Sequence, residues 1–186
     1  MLTLETGLKL YHGSYTAIES IDLGKCAPGR DFGRGFYLTS SYDQAKNFVP
    51  LSIKKHQAEG NGTEASTGFV SLYQVNLSTG LRVHTFAEAD ADWLHFVAAN
   101  RRGDLFPDLL DGYRGLDVIV GKIANDRTAR TLQLYVSGAF GEPGSPEADA
   151  IAIATLLPNR LEDQYCFLTP AAIACLEFQG SEPYGI

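Results

Sequence analysis

The order of strand-like and helix-like segments constrains this fold most strongly, because the two kinds of segment do not alternate regularly. Short apolar runs rich in β-branched and aromatic residues predict strands, whereas apolar residues at helical spacing predict helices. Strands are predicted at residues 8–11, 35–39, 69–75, 81–86, 116–120 and 165–168, with an edge strand at 177–179. This irregular mixture indicates the α+β class rather than a doubly wound parallel sheet.

The predicted helices begin at recognisable caps. Ser40 or Ser41 caps a helix with an apolar stripe at residues 45–49, which Pro50 kinks or ends and a basic turn at 54–56 continues. Further helices are predicted at 90–102, 145–157 and 170–176, and 59–68 is predicted to be a surface loop. Residues 128–137 fit either a helix or a strand.

Composition narrows the class of protein. A chain of 186 residues, 45% of them hydrophobic, predicts one domain over residues 1–186. The net charge of −7 argues against general nucleic-acid binding, which needs surplus Lys and Arg to displace counterions from phosphates. The three cysteines are too scattered for a disulfide framework, and Cys166 and Cys175 read as small buried apolar residues. Without a signal peptide or an apolar run of ~20 residues, we expect a cytoplasmic protein and no membrane partner.

Two polar, glycine-containing segments stand out beside the strands. Tyr11-His12-Gly13-Ser14 follows the first apolar run, and a stretch from Asp31 to Thr39 contains Phe-Gly-Arg-Gly-Phe-Tyr. A histidine at the end of a strand, such as His12, and a tyrosine inside a strand, such as Tyr37, can both be ordinary structural residues.

Together these segments resemble the first two signatures of ADP-ribosyltransferases, specifically the branch of diphtheria toxin and the poly(ADP-ribose) polymerases. The third signature of that branch is Asn-Glu-Tyr entering a strand, and Asp163-Gln164-Tyr165 stands in the comparable place. The resemblance is closest to a bacterial group of polymerase-like members. It implies a split antiparallel β-sheet ADP-ribosyltransferase fold with flanking helices, and NAD as substrate.

The resemblance also implies roles for individual residues. Gly13 would bind the nicotinamide carboxamide, His12 a hydroxyl of the adenosine ribose, and Tyr37 would stack under the nicotinamide ring. Three serines are candidates to support the amide: Ser14, Ser40 and Ser41. Arg30 and Arg34 are candidates for the pyrophosphate, with solvated loop positions as the plain alternative.

Gln164 departs from the family pattern. The usual glutamate bonds the 2′-hydroxyl of the nicotinamide ribose and stabilises the oxocarbenium ion, whereas an amide keeps the hydrogen bond without the charge. Three outcomes stay open: binding without turnover, slow transfer or transfer to an unusually good nucleophile, or substitution by a nearby acid. Glu162 and Asp163 are the candidates for that acid, and strand alternation favours Glu162 on the face of Gln164.

A few polar residues remain outside these motifs. Arg101 and Asp126 are reserve candidates for acceptor binding, with helix capping as the simpler reading. The tripeptide at 31–33 matches a kinase metal-binding motif by chance, because the other kinase motifs are absent. The histidines lack metal-ligand spacing, so no metal site is predicted, and His95 is expected on the polar side of its helix.

The sequence therefore predicts an NAD-dependent mono-ADP-ribosyltransferase in which His12, Tyr37 and Gln164 act on NAD. The acceptor is unknown, and a toxin-like or regulatory role would bring in a neutralising protein partner. The alternative is a catalytically weak or inactive module that binds NAD or ADP-ribose. A third hypothesis treats all three motifs as core residues of a structural domain.

Overall fold

One seven-stranded sheet organises the protein, seen here in a computed structural model that describes residues 3–58, 67–123, 126–156 and 162–185. The strands follow the order β4-β5-β6-β2-β1-β3-β7 across the sheet. Their bounds are β1 Lys9–Ser14, β2 Phe36–Thr39, β3 Thr67–Val75, β4 Val83–Thr85, β5 Val118–Lys122, β6 Asp163–Phe167 and β7 Leu176–Gly185. Only β4 and β5 pair in parallel among the described strands, which confirms the α+β class.

Five α-helices flank the sheet in the described part of the chain, with short 3₁₀ turns at Leu23–Lys25 and Leu109–Tyr113. The helices are α1 Tyr42–Ala58, α2 Ala91–Arg101, α3 Asp126–Val136, α4 Pro146–Leu156 and α5 Pro170–Ile173. Asp90 caps α2 by accepting from the Trp93 N–H, and Thr169 caps α5 by accepting from Ala172. Ser41 rather than Ser40 accepts the Gln44 N–H at the start of α1.

The sheet consists of two well-paired blocks that meet at a weak seam. β1 pairs with β3 over six residues, and β2 pairs with β6 over four. Between the blocks, β1 and β2 share a single register pair, Tyr11 opposite Thr39. The backbone of β1 and β2 therefore separates beyond this pair, at the positions of Gly13 and Tyr37.

The core lies on both faces of the sheet. On one face, α1 packs over β1 and β3 through Ala45, Val49 and Ile53, while α2, α3 and α4 cover β5 and β6. The buried residues of the latter group include Phe32, Trp93 and Leu132. The opposite face is covered by the N-terminal segment, the loop before β2 and α5.

Some elements differ from the sequence-based expectation. Helix α1 continues through Pro50 to Ala58, so of the two alternatives for this proline the end of the helix is wrong, and the predicted continuation through residues 54–56 is confirmed. The apolar stripe that includes Val49 and Ile53 offsets the lost backbone bond. Residues 128–136 belong to helix α3, and β1 extends through Ser14, so His12 lies within the strand. The expected loop at 59–68 falls largely outside the described residues.

His95 does not lie on a solvated helix face. Its Nε2 is 2.7 Å from Asp149 Oδ2, and the Tyr135 hydroxyl donates to the other oxygen of Asp149 at 2.5 Å. The imidazole also stacks on Phe106, with ring centroids 4.5 Å apart. His95 thus helps to join α2 to α3 and α4 around a buried carboxylate, which sequence periodicity cannot reveal.

Candidate functional site

The three sequence motifs meet on three adjacent strands at the centre of the sheet. His12 and Gly13 lie on β1, Tyr37 on β2 and Gln164 on β6. Thr39 pairs with Tyr11 on one side and with Gln164 on the other, which fixes their relative register. Residues more than 120 positions apart in the chain thereby come together at the seam.

Gly13 lies where the seam opens. The Val75 N–H donates to the Leu8 carbonyl, so the even-numbered residues of β1 direct their peptide groups towards β3. By alternation, the N–H and C=O of Gly13 point towards β2, where the register has ended after Tyr11 and Thr39. The seam therefore presents a peptide donor and acceptor side by side, which is the pattern that binds a carboxamide.

Gly13 also has a packing role that the sequence did not indicate. A β-carbon built on Gly13 would overlap the Ala45 carbonyl oxygen and lie 2.8 Å from the Ala45 carbonyl carbon. Gly68 on β3 is similarly crowded, since its β-carbon would overlap Val49 and lie 2.7 Å from the Ser14 carbonyl oxygen. Helix α1 therefore rests directly on two glycines of the sheet.

His12 bridges the seam through its side chain. Its Nδ1 is 2.8 Å from the Tyr37 carbonyl oxygen, and since a carbonyl only accepts, Nδ1 carries the proton. Burial lowers the pKa of His12, and the bond to the Tyr37 carbonyl opposes this less strongly. The ring is therefore neutral at pH 7, and its Nε2 is a hydrogen-bond acceptor, which suits a hydroxyl donor such as a ribose.

The hydroxyl of Tyr37 is bonded within the protein, so the ring is the part of this side chain that could contact a ligand. The hydroxyl donates to the Gly33 carbonyl at 2.8 Å and accepts the Phe32 N–H at 2.9 Å, which ties the glycine-rich loop to β2. Burial, followed by the neighbouring Cys166, raises the pKa of Tyr37, so the hydroxyl stays protonated. Gly33 has a φ of 83° in this loop, a conformation that glycine adopts without strain.

The side chains of His12 and Tyr37 leave the sheet on opposite faces. His12 stacks on Phe36, with ring centroids 4.5 Å apart, whereas Tyr37 packs in the cluster beneath α2. A ligand that contacts both residues must therefore enter the seam between β1 and β2. The sequence motifs alone do not show this separation.

Gln164 is held in one amide orientation. Its Nε2 donates to the Lys122 carbonyl at 3.2 Å and to Asp31 Oδ2 at 3.5 Å, and both partners can only accept. Both of these bonds use the amide nitrogen, so Oε1 is the atom of the Gln164 amide with the chemistry to accept a hydroxyl proton.

Asp31 is the site residue that sequence analysis missed. Its side chain is buried, and Oδ1 accepts from both Nε and Nη2 of Arg101 at 2.6 Å. Arg101, a reserve candidate for acceptor binding, is thus engaged with Asp31 at the end of α2. The only sequence signal was the tripeptide at 31–33, and the contact partners lie 70 and 133 residues further along the chain.

The other predicted site residues lie around this centre. Arg30 is exposed, and Arg34 donates to the Gly24 carbonyl within its own loop. Ser14 is buried at the end of β1. Ser40 is exposed and lines a cavity of about 410 Å³ together with Lys122, Asp163 and Tyr165.

The two acids beside Gln164 differ in their surroundings. Asp163 forms an ion pair with Lys122 at 2.7 Å, and strand alternation places it on the face opposite Gln164. Glu162 is exposed, and its carbonyl accepts the Ile123 N–H. The side chain of Asp126 lies outside the described residues.

Two features of the described residues bear on cofactors and membranes. No group of three or more His, Cys, Asp or Glu side chains there is arranged to hold a metal ion. Within the same ranges, no helix has both the length and the apolar character to cross a membrane. The described cysteines are all free, and Cys166 and Cys175 are buried, as predicted.

The protein is therefore of the α+β class, with a mostly antiparallel sheet and a seam between β1 and β2. A family model described as "Protein of unknown function (DUF3990)" matches residues 8–178, which is most of the chain. The chain belongs to this family. No curated protein and no solved structure matches it.

Proposed function

We propose that this protein is an NAD-dependent mono-ADP-ribosyltransferase with a split-sheet ADP-ribosyltransferase fold. One observation carries the proposal: the β1–β2 register stops at Tyr11 and Thr39, so Gly13 and Tyr37 flank the open seam, and Gln164 lies on the next strand, opposite Thr39. The nicotinamide carboxamide would bond the Gly13 peptide groups, and the Tyr37 ring would stack on nicotinamide. The sequence resemblance and the geometry support the same assignment independently.

The available hydrogen-bonding groups fit the two riboses. His12 Nε2 and Gln164 Oε1 are both acceptors that a ribose hydroxyl can satisfy by donating its proton. Their positions on β1 and β6 would bind the adenosine ribose and the nicotinamide ribose respectively. The arginines Arg30 and Arg34 lie in the loop before β2, where a pyrophosphate would be reached by side-chain movement.

The proposed reaction breaks the bond between C1′ of the ribose and the nicotinamide nitrogen. The electron pair of that bond leaves with nicotinamide, and positive charge develops on the ribose. An acceptor, which includes water as the simplest case, then forms the new bond to C1′ and releases its proton. Bonding of the 2′-hydroxyl by Gln164 would orient the ribose and favour the developing cation.

A binding module for NAD or ADP-ribose is the second candidate, because Gln164 carries no charge of its own. The pocket contacts would be the same, without turnover. A toxin-like or regulatory role in the cytoplasm, with a neutralising protein partner, belongs to the enzyme hypothesis. The two candidates differ only in whether nicotinamide is released.

His12→Asn tests the proposed binding mode. An asparagine amide takes the place of Nδ1–H towards the Tyr37 carbonyl but lacks the Nε2 acceptor. We expect NAD to bind about tenfold more weakly, the value of one lost neutral hydrogen bond, as measured by calorimetric titration. His56→Asn, at a histidine that stacks on Tyr15, is the matched control and keeps wild-type affinity. Unchanged affinity in folded His12→Asn would contradict the assignment of His12.

A further inference from the structure

Gln164 and Asp31 form a buried pair whose chemistry explains why position 164 holds an amide. Their exposed fractions are 4% and 8%, and Nε2 lies 3.5 Å from Oδ2. A glutamate in place of Gln164 would bring a second carboxylate against Asp31 in a region that water screens poorly. Two like charges at this distance repel strongly.

Arg101 anchors the carboxylate of Asp31 on its other oxygen. Two guanidinium nitrogens lie 2.6 Å from Oδ1, which leaves Oδ2 directed at Gln164. The guanidinium is charged at all working pH values, so the contact is a charge-assisted hydrogen bond. Arg101, Asp31 and Gln164 therefore form one chain of hydrogen bonds from the end of α2 to the centre of the sheet.

We propose that the acidic group of this site resides on Asp31, which acts as a positioning residue for Gln164. Asp31 holds the amide so that Oε1 faces the ligand, and its negative charge polarises the amide towards that oxygen. The role that a single glutamate has in ADP-ribosyltransferases would thus be divided between the Gln164 and Asp31 side chains. The role of Oε1 towards a ligand rests on the proposed function, whereas the location of the negative charge on Asp31 does not.

The melting temperatures of single and double variants test whether the negative charge of the site lies on Asp31. We expect Gln164→Glu to lower the melting temperature by about 5 °C or more at pH 8, because it buries an uncompensated charge. This deficit shrinks as the pH falls towards 5, since a proton on the carboxyl pair removes the repulsion. The double variant Asp31→Asn/Gln164→Glu restores a single carboxylate, so it melts higher than Gln164→Glu at pH 8.

A kinetic comparison tests the positioning role. In a nicotinamide-release assay, Asp31→Asn is expected to lower kcat about tenfold and to leave the KM for NAD unchanged. This fall in kcat is smaller than the fall caused by removing a group that contacts the reacting atoms. The double variant regains part of this loss. Asp104→Asn is the matched control, because Asp104 pairs with Arg102 at the exposed C-terminal end of α2, and it leaves kcat and KM unchanged.

Two results would overturn the proposal. One is a Gln164→Glu protein as stable as the wild type at pH 8, or a deficit that neither acid nor Asp31→Asn relieves. The other is a folded Asp31→Asn protein with wild-type kcat. If the wild-type protein neither binds NAD nor releases nicotinamide, the proposed function fails, and the melting temperatures alone still decide where the charge lies.

Discussion

Gly13→Ala is expected to destabilise the protein by about 3 kcal/mol, the upper part of the range for overpacked cores. The new methyl group would overlap the Ala45 carbonyl oxygen, which belongs to the backbone of α1 and cannot move as a side chain can. The helix must therefore shift away from β1 and disturb the buried contacts of Val49. Thermal unfolding should show a fall in Tm of about 6–12 °C for a protein of this size.

The control for this variant is Gly112→Ala. No atom lies within 4 Å of a β-carbon built there, so the substitution should leave Tm within about 1–2 °C of the wild-type value. A Gly13→Ala protein with wild-type Tm would show that α1 is not seated on β1 as the structure has it.

Gln164→Ala is expected to reduce nicotinamide release by at least about 100-fold, the cost of removing one group that stabilises a transition state. The substitution removes the whole amide, including Oε1, and the methyl group that remains offers no acceptor to the ribose 2′-hydroxyl. NAD affinity should change little, because the proposed contacts of Gly13, His12 and Tyr37 remain. Release kinetics and calorimetric titration on the same sample separate the two quantities.

Gln133→Ala serves as the control for Gln164→Ala, because Gln133 is an exposed glutamine on α3. It should preserve both release and binding. If Gln164→Ala releases nicotinamide at the wild-type rate, Gln164 has no part in the reaction. If it loses NAD binding as well, Gln164 contributes to the bound ground state rather than to the transition state alone.

Local patterns in the sequence predicted most of the secondary structure. The apolar runs around Leu38 and Tyr73 gave strands β2 and β3, and the cap at Asp90 gave the start of α2. These features depend on neighbours a few residues apart. By contrast, helix continuation through Pro50 depends on packing against β3, which local propensity does not contain.

The candidate site was predictable only in part, for a related reason. His12, Tyr37 and Gln164 could be selected because each stands in a short recognisable motif. The pairing of Asp31 with Arg101 and Gln164 depends on how the loop before β2 meets α2 and β6, so no spacing rule predicts it. The packing of α1 on Gly13 is equally non-local, which is why this glycine was assigned to ligand contact alone.

Calorimetric titration of the wild-type protein with NAD, followed by a nicotinamide-release assay on the same sample, tests the central claim most directly. The proposed function predicts saturable binding and release of nicotinamide that scales with enzyme concentration. Binding without release would contradict transfer and leave the binding module. A ligand at 100 times its Kd stabilises the folded protein by ~2.7 kcal/mol, which raises Tm. The NAD site itself would be contradicted if millimolar NAD gave neither a heat of binding nor a rise in Tm.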